Sequence, residues 1–240
     1  IVFSCFCLAP VEADQLKEKI NKQILNANQR KEIKSIIGKY LMDNPEIILK
    51  SVKSMQERGN TQKRKTEIQK LQTYRELILY DPTSPVGGNL NGDISVIEFF
   101  DYSCGYCKKV FPIIKTILHK DKNIRFVYKE FPILSPQSEL AARAALATWR
   151  QNKTKYIQIH SEFNNLKGAF TESRIFRIAK KLGLNLAQLR KDMQSKSMDK
   201  TILNNRQLAR NIGISGTPGF IIGDKIIRGA VDLTTLEELV

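Results

Sequence analysis

Apolar positions repeat at two periods along the chain, and the change of period marks its parts. Over the first third the repeat is helical and narrow. Leu16, Ile20, Ile24 and Ala27 are followed by Ile33, Ile36, Ile37, Tyr40 and Leu41, an amphipathic pattern that Asn26-Ala27-Asn28 interrupts. Asn44-Pro45-Glu46 supplies an N-cap with proline at the first helical position, so a new helix starts there with Ile48, Val52 and Met55 on its apolar side. Gly59-Asn60 predicts its end. Thr61 to Leu79 predicts a third helix, with Ile68, Leu71, Tyr74 and Ile78 on one face.

The middle of the chain changes character. Asp81 to Gly88 reads as a loop and Asn91-Gly92-Asp93 as a tight turn. Ile94 to Phe100 is a dense run of β-branched and aromatic residues, as in a buried strand. Val110, Ile113, Ile114, Ile117 and Leu118 then return to helical spacing, with Pro112 predicting a kink. Asn123 to Phe131 predicts a second strand. Helical segments fill about 137–212, after which Gly213 to Gly216 breaks the run. Phe220-Ile221-Ile222 and Lys225-Ile226-Ile227, joined by Gly223-Asp224, predict a hairpin, and a helix follows from about Leu233. The order gives an α/β domain at 61–240: a βαβ half, a long helical insertion and a ββα half around a mixed sheet. A helical arm at 14–60 precedes it. A narrow stripe so far from the core either packs on its own domain or seeks another helix, which makes residues 14–60 a candidate for homo-oligomer formation.

The candidate chemistry lies where the first strand of this domain hands over to its helix, at Cys104-Gly105-Tyr106-Cys107. Unpaired N–H groups and the positive dipole end of a helix stabilise a thiolate, and the thiolate is the nucleophile of disulfide exchange. Cys104 is the candidate nucleophile, and Cys107, one turn on, can close onto it. Gly105-Tyr106 puts no positive charge between the sulfurs, so the Cys104 pKa is expected to be depressed by a moderate amount. Lys108 and Lys109 compensate in part if they are not simply solvated.

Composition narrows the picture further. The 240 residues carry a formal charge of +15, with four cysteines and two histidines. Lysine outnumbers arginine, and the charges spread over every helix with no aromatic-interleaved patch, which argues for a generally basic surface and against nucleic acid. Cys5 and Cys7 fall in a short apolar stretch followed by Val11-Glu12-Ala13, which fits residues 1–13 as the remainder of a signal peptide cleaved after Ala13. Acylation at Cys5 is the other reading of that stretch. Export leaves one close cysteine pair, whose short loop constrains almost nothing of the unfolded chain. That excludes a disulfide scaffold. Neither His119 nor His160 has finger-type spacing to the cysteines and each reads as a surface helix residue, so no metal and no cofactor is expected, although two thiolates can capture copper(I).

The motifs together resemble the DsbA family of thioredoxin-fold proteins. The residues that carry the resemblance are Glu98-Phe99-Phe100-Asp101-Tyr102-Ser103-Cys104-Gly105-Tyr106-Cys107-Lys108, then Lys129 to Leu134, then Ser138 with Ala141-Ala142, and finally Gly216-Thr217-Pro218-Gly219-Phe220. The resemblance implies a thioredoxin fold and a redox disulfide between Cys104 and Cys107. It also implies a cis bond before Pro218, with Pro218 facing the sulfurs and the Thr217 backbone free to pair with an extended client. It gives Glu98 the role of moving the Cys107 proton, which suits a carboxyl whose pKa burial raises; Lys129 on the neighbouring strand either pairs with it or sits in a purely structural ion pair. Gly105 and Tyr106 would lie against the client.

The implied function is an exported, periplasmic thiol:disulfide oxidoreductase acting on client proteins with cysteines and recycled by a membrane redox partner. Three alternatives stay open: an oligomeric isomerase or reductase, a non-catalytic holdase, and a copper-binding protein. Gly105-Tyr106 and Thr217 look more like isomerase-type members, whereas the long helical insertion looks like the oxidases.

Overall fold

The computed structural model describes residues 25–240, in two units divided between Gln62 and Lys63. The signal-peptide reading, Cys5, Cys7 and the first part of the 14–60 arm lie outside the described residues.

In the first unit, helix α1 (Ala27–Asp43) opens on a capping box: Asn26 Oδ1 accepts the Gln29 N–H, and the Gln29 side chain accepts the Asn26 N–H. None of its residues is buried. Helix α2 (Pro45–Thr73) starts at the expected proline. The Asn44 side chain donates back to the Tyr40 carbonyl at 2.8 Å, closing α1 rather than capping α2. The helix runs straight through Gly59-Asn60, against the break expected there. A lone glycine costs a helix only about 1 kcal/mol, too little to stop one this long, and the interruption falls at Tyr74 instead, before the short α3 (Arg75–Leu79).

The second unit holds a five-stranded sheet whose strands, numbered along the chain as β1 (Val86–Gly88), β2 (Ile94–Phe100), β3 (Ile124–Glu130), β4 (Gly219–Ile222) and β5 (Lys225–Arg228), lie in the order β1-β3-β2-β4-β5. Strand β2 (Ile94–Phe100) lies at its centre, parallel to β3 (Ile124–Glu130), and α4 (Gly105–Lys120) crosses between them. This is the βαβ half. Strand β4 (Gly219–Ile222) pairs antiparallel with β2 and with β5 (Lys225–Arg228), and α10 (Leu233–Leu239) completes the ββα half. Helices α5 (Pro136–Gln151), α6 (Lys153–Asn165), α7 (Glu172–Lys181), α8 (Leu186–Met193) and α9 (Lys196–Ile212) form the insertion.

One strand departs from the loop expected at 81–88. Val86–Gly88 forms β1, antiparallel to β3. Three residues, two of them glycine, carry no alternation to read. At Gly88 φ is +67° and a Cβ would stand 2.4 Å from the Ile124 carbonyl oxygen, so only glycine lets this edge come so close.

Because β2 and β3 are covered on both faces, their side chains sort by parity into two cores. Val96, Phe100, Ile124, Phe126 and Tyr128 pack with Cys104, Cys107, Phe220 and the buried stripe Val110, Ile114 and Ile117 of α4. Ile97, Phe99, Val127 and Phe131 face the other way, against Leu71, Ile78, Leu208 and Ile212. Both thiols therefore belong to one face of the sheet. Helix α4 continues through Pro112 without a break.

Candidate active site

Cys104 is the N-cap of α4, and its sulfur accepts the Cys107 N–H at 3.3 Å. The turn that presents it is built from Asp101, a residue given no role of its own in the sequence reading. Its Oδ1 accepts the Ser103 N–H at 2.7 Å, and its Oδ2 accepts the N–H groups of Ile133 and Leu134 at 2.9 and 3.0 Å. One buried carboxylate thus ties the cysteine loop to the segment leaving β3. The available signal was an aspartate two residues before a serine at a strand end, where such side chains close Asx turns.

The other wall is Thr217-Pro218, joined by the expected cis bond. The Thr217 carbonyl lies 3.3 Å from the Cys104 sulfur and accepts its S–H while the thiol is protonated. Gly219 follows at the start of β4 beside Phe99, where a Cβ would meet Ile214 at 2.7 Å. Tyr106 stands 63% exposed beside the cysteines, with the Lys109 ammonium 5.4 Å from its ring centre. Gly105 opens the helix with nothing near where a Cβ would lie. Cys104, Cys107, Gly105, Tyr106, Thr217 and Pro218 are thus brought together. The Cys104 side chain is less open than a free nucleophile, with 5% of the residue exposed.

The two thiols are driven apart electrostatically. The Cys107 thiol, donating to the Cys104 sulfur, lowers Cys104 to about 5; burial opposes this, while the Thr217 side chain and the N–H groups of Cys107 and Tyr106 assist. The same hydrogen bond pushes Cys107 far up, reinforced by burial and by the charge of Glu98. Glu98 is itself raised to about 8 by burial and by the charge on Cys104. One thiolate, one thiol and one neutral carboxyl therefore share the site at pH 7.

Lys129 does not join them. It pairs with Phe99 in the β2–β3 register, so its side chain leaves by the opposite face. There its ammonium meets Asp81 at 3.1 Å and donates to the Leu77 carbonyl and Ser84 hydroxyl, each at 2.7 Å. Burial would raise the Asp81 carboxyl, but Lys129 and hydrogen bonds from Thr83 and Ser84 hold it below its ordinary value. This is a structural pair under the sheet.

His160 corrects a second expectation: it is buried, inside a ring of Phe100, Tyr102, Tyr128 and Tyr156. The donors fix its tautomer. Asn164 Nδ2 can only donate, to His160 Nε2 at 3.1 Å, so Nδ1 carries the proton and donates to the Tyr102 oxygen at 2.9 Å. The Tyr102 hydroxyl then donates to Glu130 Oε1 at 2.9 Å, which Tyr156 also reaches at 3.0 Å. Burial keeps the imidazole neutral, with a pKa of about 3, and raises Glu130 well above its usual range. Lys108, expected in solvent, instead donates to the Leu166 carbonyl at 2.6 Å. Among the described residues no three His, Cys, Asp or Glu side chains converge on a metal position.

The DSBA-like thioredoxin domain family matches residues 95–240. Among solved structures, the thiol-disulfide exchange protein alpha-DsbA2 of Wolbachia pipientis is 32% identical, covering 73% of this chain and 95% of that one with a TM-score of 0.69. BcfH of Salmonella enterica Typhimurium is 25% identical, covering 96% of this chain and 98% of that one, also at 0.69. A curated relative, the Na(+)/H(+) antiporter NhaA 1 of Salinispora arenicola, is 25% identical over 157 residues, or 65% of this chain. The chain spans about a quarter of the length of such curated relatives, 24% in that case.

Proposed function

The chain belongs to the DSBA-like thioredoxin domain family, and on that footing we propose that it is an exported, periplasmic thiol:disulfide oxidoreductase cycling Cys104 and Cys107. The observation that carries this is the pairing of a Cys104 thiolate near pKa 5 with a protonated Cys107 at one helix N-terminus, beside Thr217-Pro218. A low-pKa sulfur is a good leaving group and stabilises the dithiol, which makes the disulfide form oxidising.

In the oxidising direction a client thiolate attacks Cys104 of the Cys104–Cys107 disulfide. The client–Cys104 bond forms, the Cys104–Cys107 bond breaks, and Cys107 leaves with the electron pair. Its high proton affinity needs an acid at once, and neutral Glu98 is the group at hand. A second client thiolate then attacks the client sulfur and expels Cys104 as a stable thiolate. The client is oxidised by two electrons and the cysteine pair is reduced by two. In reverse, the Cys104 thiolate attacks a client disulfide. Its charge is lost in the mixed disulfide, and with it one of the causes that raises Glu98, so the carboxyl ionises more readily and can take the Cys107 proton. The client segment lies along the Thr217 backbone, with Tyr106 against it. A membrane redox partner returns the pair to its working state.

The test uses the oxidised chain and reduced, unfolded ribonuclease at equal concentration. One client disulfide should form for each protein disulfide lost. Glu98→Gln should slow the first attack, in which Cys107 leaves and takes a proton, by about 100-fold or more, the range of a single proton-transfer catalyst. Expulsion of Cys104 by the second client thiolate should change little. In the reducing direction the step slowed is release of the mixed disulfide by Cys107. Unchanged single-turnover kinetics would remove Glu98 from the mechanism.

A second reading concerns direction. Ile33, Ile36, Ile37 and Tyr40 of α1 lie at i, i+3, i+4 and i+7 and are all 39% exposed or more, and Ile48, Val52 and Met55 of α2 do the same at i, i+4 and i+7. Such stripes favour self-association through the arm and with it an isomerase that surrounds a misfolded client. Ile36→Asp with Ile37→Asp is expected to convert an oligomer to a monomer by light scattering. Unscrambling of ribonuclease should fall with it, while one-step oxidation persists.

A further inference from the structure

On the sheet face turned away from Cys104, a cavity of about 560 Å³ opens over the second core. That size lies within the roughly 300–1,000 Å³ of small-molecule sites. Its floor is apolar and buried: Leu71, Ile78, Ile97 and Ile221. Its mouth is cationic and aromatic. The guanidinium groups of Arg75 and Arg125 stand 5.6 and 5.5 Å from the centre of the Tyr80 ring. Arg125 Nη1 is buried without a hydrogen-bond partner.

A guanidinium carries five donors and no acceptor, and a buried donor left unpaired is costly. The acids nearby do not answer it. Asp224 lies 3.5 Å from Arg64, the exposed Glu76 lies 3.5 Å from Arg75, and Asp93 at the rim makes no ion pair with Arg125. An apolar floor with an unanswered planar cation at the edge matches one ligand chemistry. We propose that this cavity binds a small amphiphile, with a carboxylate head on Arg125 and Arg75 and one unbranched apolar chain over Leu71, Ile78, Ile97 and Ile221. A carboxylate suits Arg125 because its two oxygens match the guanidinium fork. The site is independent of the thiol chemistry, which lies on the other face of the sheet.

The test is calorimetric titration of the whole chain with sodium decanoate below its micelle concentration, with decanol as the uncharged probe. Decanoate should bind at one site, at least ten times more tightly than decanol. Arg125→Met should weaken decanoate at least tenfold, and Ser95→Trp, which fills the cavity from β2, should abolish binding. Both variants should keep the native circular dichroism and the native rate of thiol exchange. No decanoate uptake by the native chain, equal affinity for decanol, or native affinity in Arg125→Met overturns the site. If Ser95→Trp does not fold, the Arg125→Met and decanol comparisons decide the question without it.

Discussion

Cys104→Ala is expected to lower catalysed insulin reduction by about 100-fold or more at pH 7, because Cys107, left alone, is a buried thiol that client cannot reach and whose pKa burial and the neighbouring Glu98 still push up. Cys107→Ala should behave differently. Its Cys104 still attacks, but nothing resolves the product, so covalent adducts with client accumulate and are visible by mass on non-reducing gels. Removing Cys107 also removes the largest cause of the low Cys104 value. The trapped variant should therefore titrate above the native pKa of about 5 while keeping the backbone N–H bonds. Equal activity of the two single variants would show that the two sulfurs are equivalent and would contradict the asymmetry derived from the helix N-terminus.

Glu130→Leu is expected to be the most destabilising change to a residue outside the reacting pair. Glu130 Oε1 accepts both tyrosine hydroxyls, Tyr102 and Tyr156, and the whole cluster is buried. Each orphaned hydroxyl costs about 1–3 kcal/mol, so a loss of about 2–6 kcal/mol is expected by urea unfolding, against a usual domain stability of about 5–15 kcal/mol. Glu130→Gln should be mild because it keeps the acceptor and has no charge to bury. The sign with pH follows from a folded-state pKa well above the ordinary 4.5. Stability from this group is full below the unfolded value and is lost as pH rises through the folded one. Glu130→Gln should abolish that component. Adding Tyr102→Phe and Tyr156→Phe to Glu130→Leu should restore part of the loss, since removing both partners costs less than removing one. If Glu130→Leu is as stable as the native chain, the network contributes nothing.

Much of this site was legible because its chemistry is local in sequence. A strand run ending in Cys-x-x-Cys and followed by a helical stripe places the sulfurs at a helix N-terminus whatever the rest of the fold does. Thr217-Pro218 before a hairpin was readable through the resemblance. What escaped the sequence depended on register. Glu98 and Lys129 lie on adjacent strands, and only the pairing of Phe99 with Lys129 shows that the lysine leaves by the far face. His160 was misplaced for want of a face: Tyr156, His160 and Asn164 repeat every four residues, and Ile159 and Phe163 beside them are buried. Asp101 was hidden because its partners, Ile133 and Leu134, are 32 and 33 residues away. Helix α2 passed through Gly59-Asn60 because a local propensity of about 1 kcal/mol is a weak brake on a cooperative helix.

The central claim is that this fold holds Cys104 as a thiolate, and ultraviolet titration of the thiolate in the reduced chain tests it most directly. The low folded value stabilises the reduced fold above the unfolded thiol pKa, and that stability is lost as pH falls through about 5. With Cys104→Ala as the blank, the expected result is one thiolate lost with a midpoint near pH 5, with Cys107 silent across the same range. A midpoint near the ordinary thiol value of about 8.5, or a titration carried by Cys107, would contradict it.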